Sequence, residues 1–138
     1  MYIQALKQKR YLDVFKERLE KTGFSKPTFH LIEGAYENIP IDDKFDVILF
    51  SWTFIVEFNK EEQEQVLINT YKHLNEEGIC LIDNPSRNQP YNQYGTYSPT
   101  KFYYDEWENI FTEIGFSHKV NIYTTKTGKE RELIILKK

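Results

Sequence analysis

Apolar and polar residues at the start of the chain recur with the spacing of a helix. Leu12, Phe15 and Leu19 lie three or four positions apart between Lys, Glu and Arg residues, which places them on one helical face. Gly23 then supplies a stop. The pattern predicts an amphipathic helix over residues 2–19.

Three short apolar runs follow with the character of strands. Residues 28–32 alternate and include β-branched side chains, and Glu33 and Gly34 end the run. Phe45–Phe50 is almost continuously apolar, as is typical of a strand buried on both faces of a parallel sheet. Residues 79–82 have the same composition. We expect three strands at these places.

Two more helices are predicted between and after these strands. Asn59 is followed three residues later by Glu62, the pattern of a capping box in which each side chain bonds the other residue's free amide. An apolar face then runs to Leu74, before Gly78. The last helix, closed by Gly115, has the clearest stripe of the chain, at positions i, i+3, i+4 and i+7: Trp107, Ile110, Phe111 and Ile114.

A long irregular segment separates these two helices, and a hairpin ends the chain. Residues 84–99 hold three Pro, three Tyr and one Gly without periodicity, and such long loops are more often functional than idle. Residues 119–125 and 131–136 are strand-like on either side of a Lys-Thr-Gly-Lys turn. The element order α, β, β, α, β, α, β, β predicts an α/β fold with parallel strands and a final antiparallel hairpin, in one domain over residues 1–138.

Composition excludes several classes of protein. The 138 residues carry 18 − 21 = −3 charges and are 16% aromatic, which fits one ordinary globular domain and argues against disorder. There is no long basic run for a nucleic acid backbone, and no apolar run near the ~20 residues of a membrane span. Cys80 is the only cysteine, and three scattered His residues suggest no metal site. Together with the absence of a signal-peptide core, these features predict a cytoplasmic protein.

Ligands of open α/β sheets bind beyond the carboxyl ends of the parallel strands. This rule places a candidate site at the three segments that follow the predicted strands. They are Gly34, Ala35 and Tyr36; Ser51, Trp52 and Thr53; and residues 83–85.

Four segments, in order, resemble the C-terminal two thirds of the class I S-adenosylmethionine-dependent methyltransferases. Residues 31–40 resemble that family's third strand and following turn, and residues 44–50 resemble its fourth strand. Residues 71–83 resemble its next helix, turn and fifth strand, and residues 114–116 resemble the start of its antiparallel ending. The resemblance covers nearly the whole chain and implies a Rossmann-like sheet, truncated at its N-terminus, with S-adenosylmethionine as cofactor.

The resemblance also implies roles for the candidate residues, each with a plainer alternative. Glu57 and Asp83 are carboxylates that would orient or deprotonate an acceptor, where the alternative is a structural role. Residues that would line the cofactor are Gly34, Ala35, Tyr36, Ser51, Trp52 and Thr53, where the alternatives are a turn and a core Trp. Residues that would cover the acceptor are Tyr91, Tyr94 and Tyr97, where the alternative is loop packing.

The chain departs from the family at its N-terminal side. It contains no Gly-x-Gly, and we expect the family's first strand, glycine-rich turn and second strand with a ribose-binding acid to lie before Met1. In the family the first strand lies between the third and the fourth, so Phe45–Phe50 would lose a neighbour. An unpaired strand edge is a template for another chain, which predicts a homodimer or a partner chain that supplies the missing strands.

The leading hypothesis is therefore a methyltransferase that acts on a small molecule after assembly. The rival is a non-catalytic remnant that keeps the sheet and its edge as an interaction module. The absent glycine-rich turn favours the rival, whereas Trp52 and the tyrosine-rich loop favour the enzyme. A third interpretation is a shortened reading frame from a complete enzyme.

Overall fold

The computed structural model describes most of the C-terminal two thirds of the chain and parts of the N-terminal third. The described residues are 2–6, 13, 14, 17, 21, 29–33, 44–50, 55–88 and 100–138. Their contacts form two compact units, Met1–Asp42 and Asp43–Lys138. The prediction of a single domain over residues 1–138 stays a prediction.

The first unit contains a pair of parallel strands, β1 (Tyr2–Leu6) and β2 (Phe29–Glu33). The predicted strand at 28–32 is confirmed, but the predicted helix over 2–19 is wrong at its start. The apolar residues with helical spacing begin only at Leu12, and the backbone of β1 pairs with β2 instead. Residues 13, 14, 17 and 21 are helical, and Lys21 forms an exposed ion pair with Glu17 at 2.6 Å.

A parallel strand and helical residues thus precede β2. The expectation that a glycine-rich turn and a strand with a ribose-binding acid lie before Met1 stays a prediction.

The second unit is a four-stranded mixed sheet with two helices. Its elements in chain order are β3 (Phe45–Phe50), a 3-10 helix (Ile55–Glu57), α1 (Lys60–His73), β4 (Leu74–Pro85), α2 (Tyr104–Ile114), β5 (Ser117–Thr124) and β6 (Glu130–Lys137). The strand order is β3-β4-β6-β5. β3 and β4 are parallel, and the other two pairings are antiparallel. This confirms the α/β fold and its C-terminal hairpin.

β4 is longer than its sequence predicted. It begins at Leu74, directly after α1, and continues to Pro85. Asn84 and Pro85, which were predicted to open the long loop, pair with Glu132 and Arg131 of β6. The ladder with β6 is a long-range contact that local composition does not reveal.

The start of α1 and the end of α2 are formed as their sequences predict. The Asn59 side chain accepts from the Glu62 amide at 2.9 Å, and the Glu62 carboxylate accepts from the Asn59 amide at 2.9 Å, so the capping box is formed. At the end of α2, Gly115 has φ 114°, a left-handed conformation that glycine adopts without strain. The Gly115 and Phe116 amides donate to the Phe111 carbonyl at 3.2 and 2.9 Å, which closes the helix.

The core lies between the two helices and one face of the sheet. Phe102 stacks on Trp107 with ring centroids 4.7 Å apart, and Phe111 lies beside them. Fully buried aliphatic side chains from α1, β4 and β6 complete it: Leu67, Leu74, Ile82, Ile134 and Leu136. Burial of this apolar surface is the main stabilising term of the unit.

β3 differs from its prediction of burial on both faces. Val47 is 55% exposed and Leu49 is 51% exposed, and Asp46 is exposed as well. Among the described residues, β3 pairs only with β4 and forms one edge of the four-stranded sheet. These two apolar side chains of β3 are therefore in contact with water, while the loss of a neighbouring strand stays a prediction. None of the helices described here has the length and apolarity required to cross a membrane.

Candidate functional site

The carboxyl end of β4 is the part of the predicted site that the structure describes in full. It contains Asp83 with its side chain, whereas Glu57 is described by its backbone alone, as the last residue of the 3-10 helix after β3. The remaining predicted site residues lie outside the described residues: Gly34, Ala35, Tyr36, Ser51, Trp52, Thr53, Tyr91, Tyr94 and Tyr97. Their roles stay predictions.

Asp83 is held by two side chains from the C-terminal hairpin. Its Oδ1 accepts from the Arg131 guanidinium at 2.8 Å and from the Tyr123 hydroxyl at 2.8 Å. Arg131 also donates to the Asp83 carbonyl at 3.1 Å. Three neighbouring strands, β4, β6 and β5, each contribute one of these residues. The carboxylate is thus fixed in orientation by groups 40 and 48 positions away in sequence.

Charge and burial act together on this ion pair. The Arg131 side chain is 8% exposed and the Asp83 side chain is 23% exposed. Burial alone lowers the pKa of Arg131, but the hydrogen bond and the attraction of Asp83 outweigh it and raise the pKa above its ordinary value. Burial, and then the hydrogen bond to Asp83, raise the pKa of Tyr123. Arg131 therefore remains a cation. Its pairing with Asp83 is typical of a structural ion pair.

A second carboxylate, Glu132, lies beside the same end of β4. It is 8% exposed and accepts from the Tyr104 amide at 3.2 Å, at the first turn of α2. The side chain of Tyr103, the N-cap residue, makes no capping hydrogen bond. Glu132 of β6 instead accepts from a free amide of the first turn of α2. Burial raises the pKa of Glu132, and the bond from Tyr104 opposes that shift.

The segment that leaves β4 is anchored where it begins. Glu130 accepts from the Ser86 hydroxyl at 2.7 Å and from the Asn88 side-chain amide at 2.9 Å. Arg87 donates to Asp105 at 2.8 and 2.9 Å and to Glu106 at 3.2 Å, near the start of α2. The chain therefore enters residues 89–99 from a fixed position.

The same segment is anchored again where it returns. The Thr100 amide donates to the Val56 carbonyl at 3.0 Å. The Gln63 side-chain amide donates to the Ile55 carbonyl at 3.0 Å and to the Thr100 carbonyl at 3.2 Å. Nearby, the side-chain amide of the fully buried Asn84 donates to the Phe102 carbonyl. Both ends of the tyrosine-rich segment are thus fixed by polar side chains.

Sequence analysis missed Gln63, although a signal was present. Gln63 is fully buried and shares a face of α1 with Val66, Leu67 and Thr70 at positions i, i+3, i+4 and i+7. A long polar side chain within an apolar stripe is unusual and indicates a specific hydrogen-bonding role. The roles of Arg131 and Glu132 had no local signal, because their partners lie on other elements.

The described residues of the site include neither a reactive cysteine nor a metal-binding cluster. Burial raises the pKa of the Cys80 thiol far above its ordinary value, so this cysteine is a packing residue. Across the described part of the chain, no group of three or more His, Cys, Asp or Glu side chains has the geometry of a metal site. The described part of the site consists of a fixed carboxylate and the two anchored ends of the segment 89–99.

Several solved structures share the architecture of this chain. No protein-family model matches the chain, and no curated protein matches it significantly. A protein assigned as an O-methyltransferase from Nostoc punctiforme is 20% identical, with a TM-score of 0.72 over 99% of this chain and 44% of that chain.

Two ligand-bound structures match equally well. The magnesium protoporphyrin IX methyltransferase of Synechocystis, with S-adenosylhomocysteine bound, is 8% identical, with a TM-score of 0.73 over 99% of this chain and 64% of that chain. An amino pentose methyltransferase from Micromonospora echinaspora, with S-adenosylmethionine bound, is 14% identical, with a TM-score of 0.71 over 98% and 72%. The chain thus has a class I methyltransferase-like fold and spans less than two thirds of the length of the first two proteins.

Proposed function

We propose that the chain is a methyltransferase, or the C-terminal part of one, that transfers a methyl group from S-adenosylmethionine to a small molecule. The observation that carries the proposal is the match of nearly the whole chain to methyltransferase structures, two of them with cofactor or product bound. The strand order, with an antiparallel hairpin after the parallel pair, agrees with it.

Methyl transfer from a sulfonium needs chiefly an acceptor in line with the methyl carbon. Asp83 suits an orienting role, because Arg131 and Tyr123 fix one of its oxygens. We assign Glu57 a second orienting role, with Ser51, Trp52 and Thr53 along the cofactor. Tyr91, Tyr94 and Tyr97 would then stack on the acceptor.

The glycine-rich turn of the family has no equivalent within these 138 residues, which contain no Gly-x-Gly. Gly34, Ala35 and Tyr36 would meet the adenine, but they do not replace that turn. We therefore propose that self-association of the chain, or a partner polypeptide that supplies the turn, completes the cofactor site.

Calorimetric titration with S-adenosylhomocysteine tests the proposal directly, because the product shares the cofactor site and does not react. Binding near micromolar affinity, together with a raised melting temperature, would support a cofactor site in the chain or its self-assembly. Absence of heat and of a melting shift would contradict an independent enzyme. In that case the chain would need a partner that supplies the turn, or would be the interaction module that the absence of Gly-x-Gly favours.

Self-association is tested separately at the exposed edge. Leu49→Lys places a charge on β3, where we expect it to abolish association, because charged side chains protect strand edges from pairing. Ile122→Lys is the matched control, since Ile122 is 54% exposed on β5, the opposite edge strand. Sedimentation equilibrium at micromolar concentration should show association of the wild type and of the control only. A monomeric wild type, or equal behaviour of both variants, would contradict association through β3.

A further inference from the structure

The four-stranded sheet has two apolar faces, and the core covers one of them. Side chains alternate between the two faces along each strand. On β4, Cys80 and Ile82 are fully buried in the core. Ile79 and Leu81, the residues that alternate with them, therefore lie on the opposite face, and both are only half-buried.

The register of the sheet brings apolar residues of three strands together on this opposite face. Ile79 pairs with Val47 of β3, and Leu81 pairs with Leu49 of β3 and with Ile135 of β6. Residues paired across neighbouring strands have their side chains on the same face. A further residue of β6, two positions before Ile135, continues the group. We call these six residues the apolar patch: Val47, Leu49, Ile79, Leu81, Leu133 and Ile135.

The apolar patch is in contact with water. Val47 and Leu49 are each about half exposed, and the other four residues are half-buried. Parallel strands such as β3 and β4 are normally covered on both faces, most often by helices. A contiguous exposed apolar patch marks an interaction surface, whereas scattered apolar residues do not. Among the described elements, the apolar patch therefore lacks the second helical layer that parallel strands require.

The dimensions of the apolar patch match one helix. It spans three adjacent strands, or two spacings of ~4.8 Å, and about four residues along β4 at ~3.3 Å each, which gives roughly 10 Å by 13 Å. An α-helix is ~10 Å wide with its side chains and rises ~1.5 Å per residue, so a helix of about nine residues covers the patch. A stable dimer buries about 800 Å² on each copy, which is well above the area of this patch.

Positive charge borders the apolar patch on the side of β5. Lys119 of β5 pairs with Ile135, and Lys137 of β6 pairs with Ile79. Both lysines are exposed. Lys137 forms an ion pair with Glu77, whereas the described part of the chain shows no ion pair for Lys119. An acidic side chain at the border of a docked helix would therefore complement Lys119.

We propose that the apolar patch is the docking surface for one amphipathic helix of a partner polypeptide, with aliphatic side chains on the patch and an acidic side chain against Lys119. The inference goes beyond the proposed function, because this association requires neither S-adenosylmethionine nor methyl transfer. It also differs from self-association at the β3 edge, because Leu133 and Ile135 belong to β6, which lies between β4 and β5.

Labelled synthetic peptides of about 18 residues, long enough to form a helix in water, test the proposal with the full chain. An acidic peptide carries leucines at positions i, i+3, i+4 and i+7 with Glu at the border of this stripe. A basic peptide has Lys in place of Glu, and a scrambled peptide has the acidic composition without the stripe. We expect fluorescence anisotropy to show binding of the acidic peptide about fivefold tighter than that of the basic peptide, and no binding of the scrambled peptide. No binding, or equal binding of all three, would overturn the proposal.

Ile135→Thr tests the apolar patch, because it replaces an apolar group with a hydroxyl and keeps a β-branched side chain that suits a strand. We expect it to weaken binding of the acidic peptide about tenfold, from lost apolar burial. Ile122→Thr is the matched control, since Ile122 is exposed and pairs with Glu132 on the other face of the sheet. Equal affinities of the two variants would overturn the proposal. If Ile135→Thr does not fold, Val47→Thr, at an exposed residue of the patch, carries the same test.

Lys119→Glu tests the charge at the border of the patch. We expect it to reverse the preference, so that the basic peptide binds about fivefold tighter than the acidic peptide. Lys126→Glu, in the exposed turn between β5 and β6, is the control and should keep the preference of the wild type. An unchanged preference in Lys119→Glu would overturn an acidic partner helix.

Sedimentation equilibrium without peptide tests whether a second copy covers the patch instead. A wild-type dimer that Ile135→Thr dissociates, and Ile122→Thr does not, would overturn the proposal in favour of a second copy. We expect any association of the wild type to persist in Ile135→Thr, because β6 is not an edge strand. S-adenosylhomocysteine is absent from all of these measurements, so their outcome is independent of the proposed function.

Discussion

β3 and β4 are adjacent parallel strands of similar composition in very different surroundings. In β4, residues 78–85 are all buried or half-buried, and Cys80, Ile82 and Asn84 are fully buried. In β3, Val47 and Leu49 are about half exposed. β4 lies between β3 and β6, whereas β3 pairs only with β4 among the described residues. The apolar sequence of β3 thus predicts a buried position that the described residues of this chain do not provide. A second chain packed on β3 would provide it.

The two strands also differ in how polar groups hold them. The one cross-strand side-chain contact described for β3 is exposed, from Asn75 to Asp46 at 2.8 Å. At the other end of β4, Asp83 bonds to Arg131 and Tyr123 in a half-buried site. The difference predicts that substitutions on β4 destabilise the chain and that equivalent substitutions on β3 affect association instead.

Truncation of a buried side chain of β4 should have the largest effect. Ile82→Ala removes part of a fully buried side chain, and we expect it to lower the free energy of unfolding by about 3 kcal/mol, from lost burial and the cavity left behind. Leu49→Ala, on the half-exposed strand, should change it by less than about 0.5 kcal/mol in the monomer. Urea unfolding at low concentration measures both. Similar losses in the two variants would mean that β3 is buried in the monomer too.

Removal of the carboxylate at the end of β4 should have an intermediate effect. Asp83→Asn removes the negative charge that faces Arg131 but keeps a side-chain oxygen, and we expect a loss of about 2 kcal/mol, below that of a fully buried pair because Asp83 is partly exposed. Asp46→Asn on β3 is the control and should cost less than about 0.5 kcal/mol. Thermal unfolding of both variants checks this. Unchanged stability of Asp83→Asn would contradict a stabilising role of this ion pair, whereas the orienting role proposed for Asp83 predicts lost activity as well.

Sequence alone predicted the elements whose signals are local. The capping box of Asn59 and Glu62 and the left-handed Gly115 lie within a few residues of the helix ends that they define. The hairpin of β5 and β6 likewise depends on a short turn. These signals act between neighbours in sequence, so reading them needed no knowledge of the fold.

The features that sequence analysis missed depend on distant contacts. β1 forms by pairing with β2, 27 positions later at Tyr2 and Phe29, although the helical residues after it suggested one continuous helix. The partner of Asp83 is 48 positions away. Residues between Phe50 and Ile55 and between Asn88 and Thr100, where most predicted ligand contacts fall, lie outside the described residues, so those contacts stay predictions.

The smallest predicted effect concerns Glu132, the buried carboxylate paired across the ladder with Asn84 of β4. Burial raises the pKa of Glu132 above its ordinary value of 4.5. The folded chain therefore binds a proton at Glu132 more tightly than the unfolded chain does. Stability from this group is therefore complete below pH 4.5 and is lost as pH rises through the raised pKa.

Glu132→Gln keeps an oxygen for the Tyr104 amide and removes the charge. We expect a gain of less than about 1 kcal/mol at neutral pH, because losing the charge also gives up a favourable interaction with the N-terminus of α2, worth ~0.3–1 kcal/mol. The gain should vanish below pH 4.5, where the native Glu132 is already neutral. Thermal unfolding of wild type and variant across this range measures the difference. A variant that is less stable at neutral pH would show that the charge at the helix N-terminus outweighs its burial, and that the buried end of β4 is stabilised by its carboxylates.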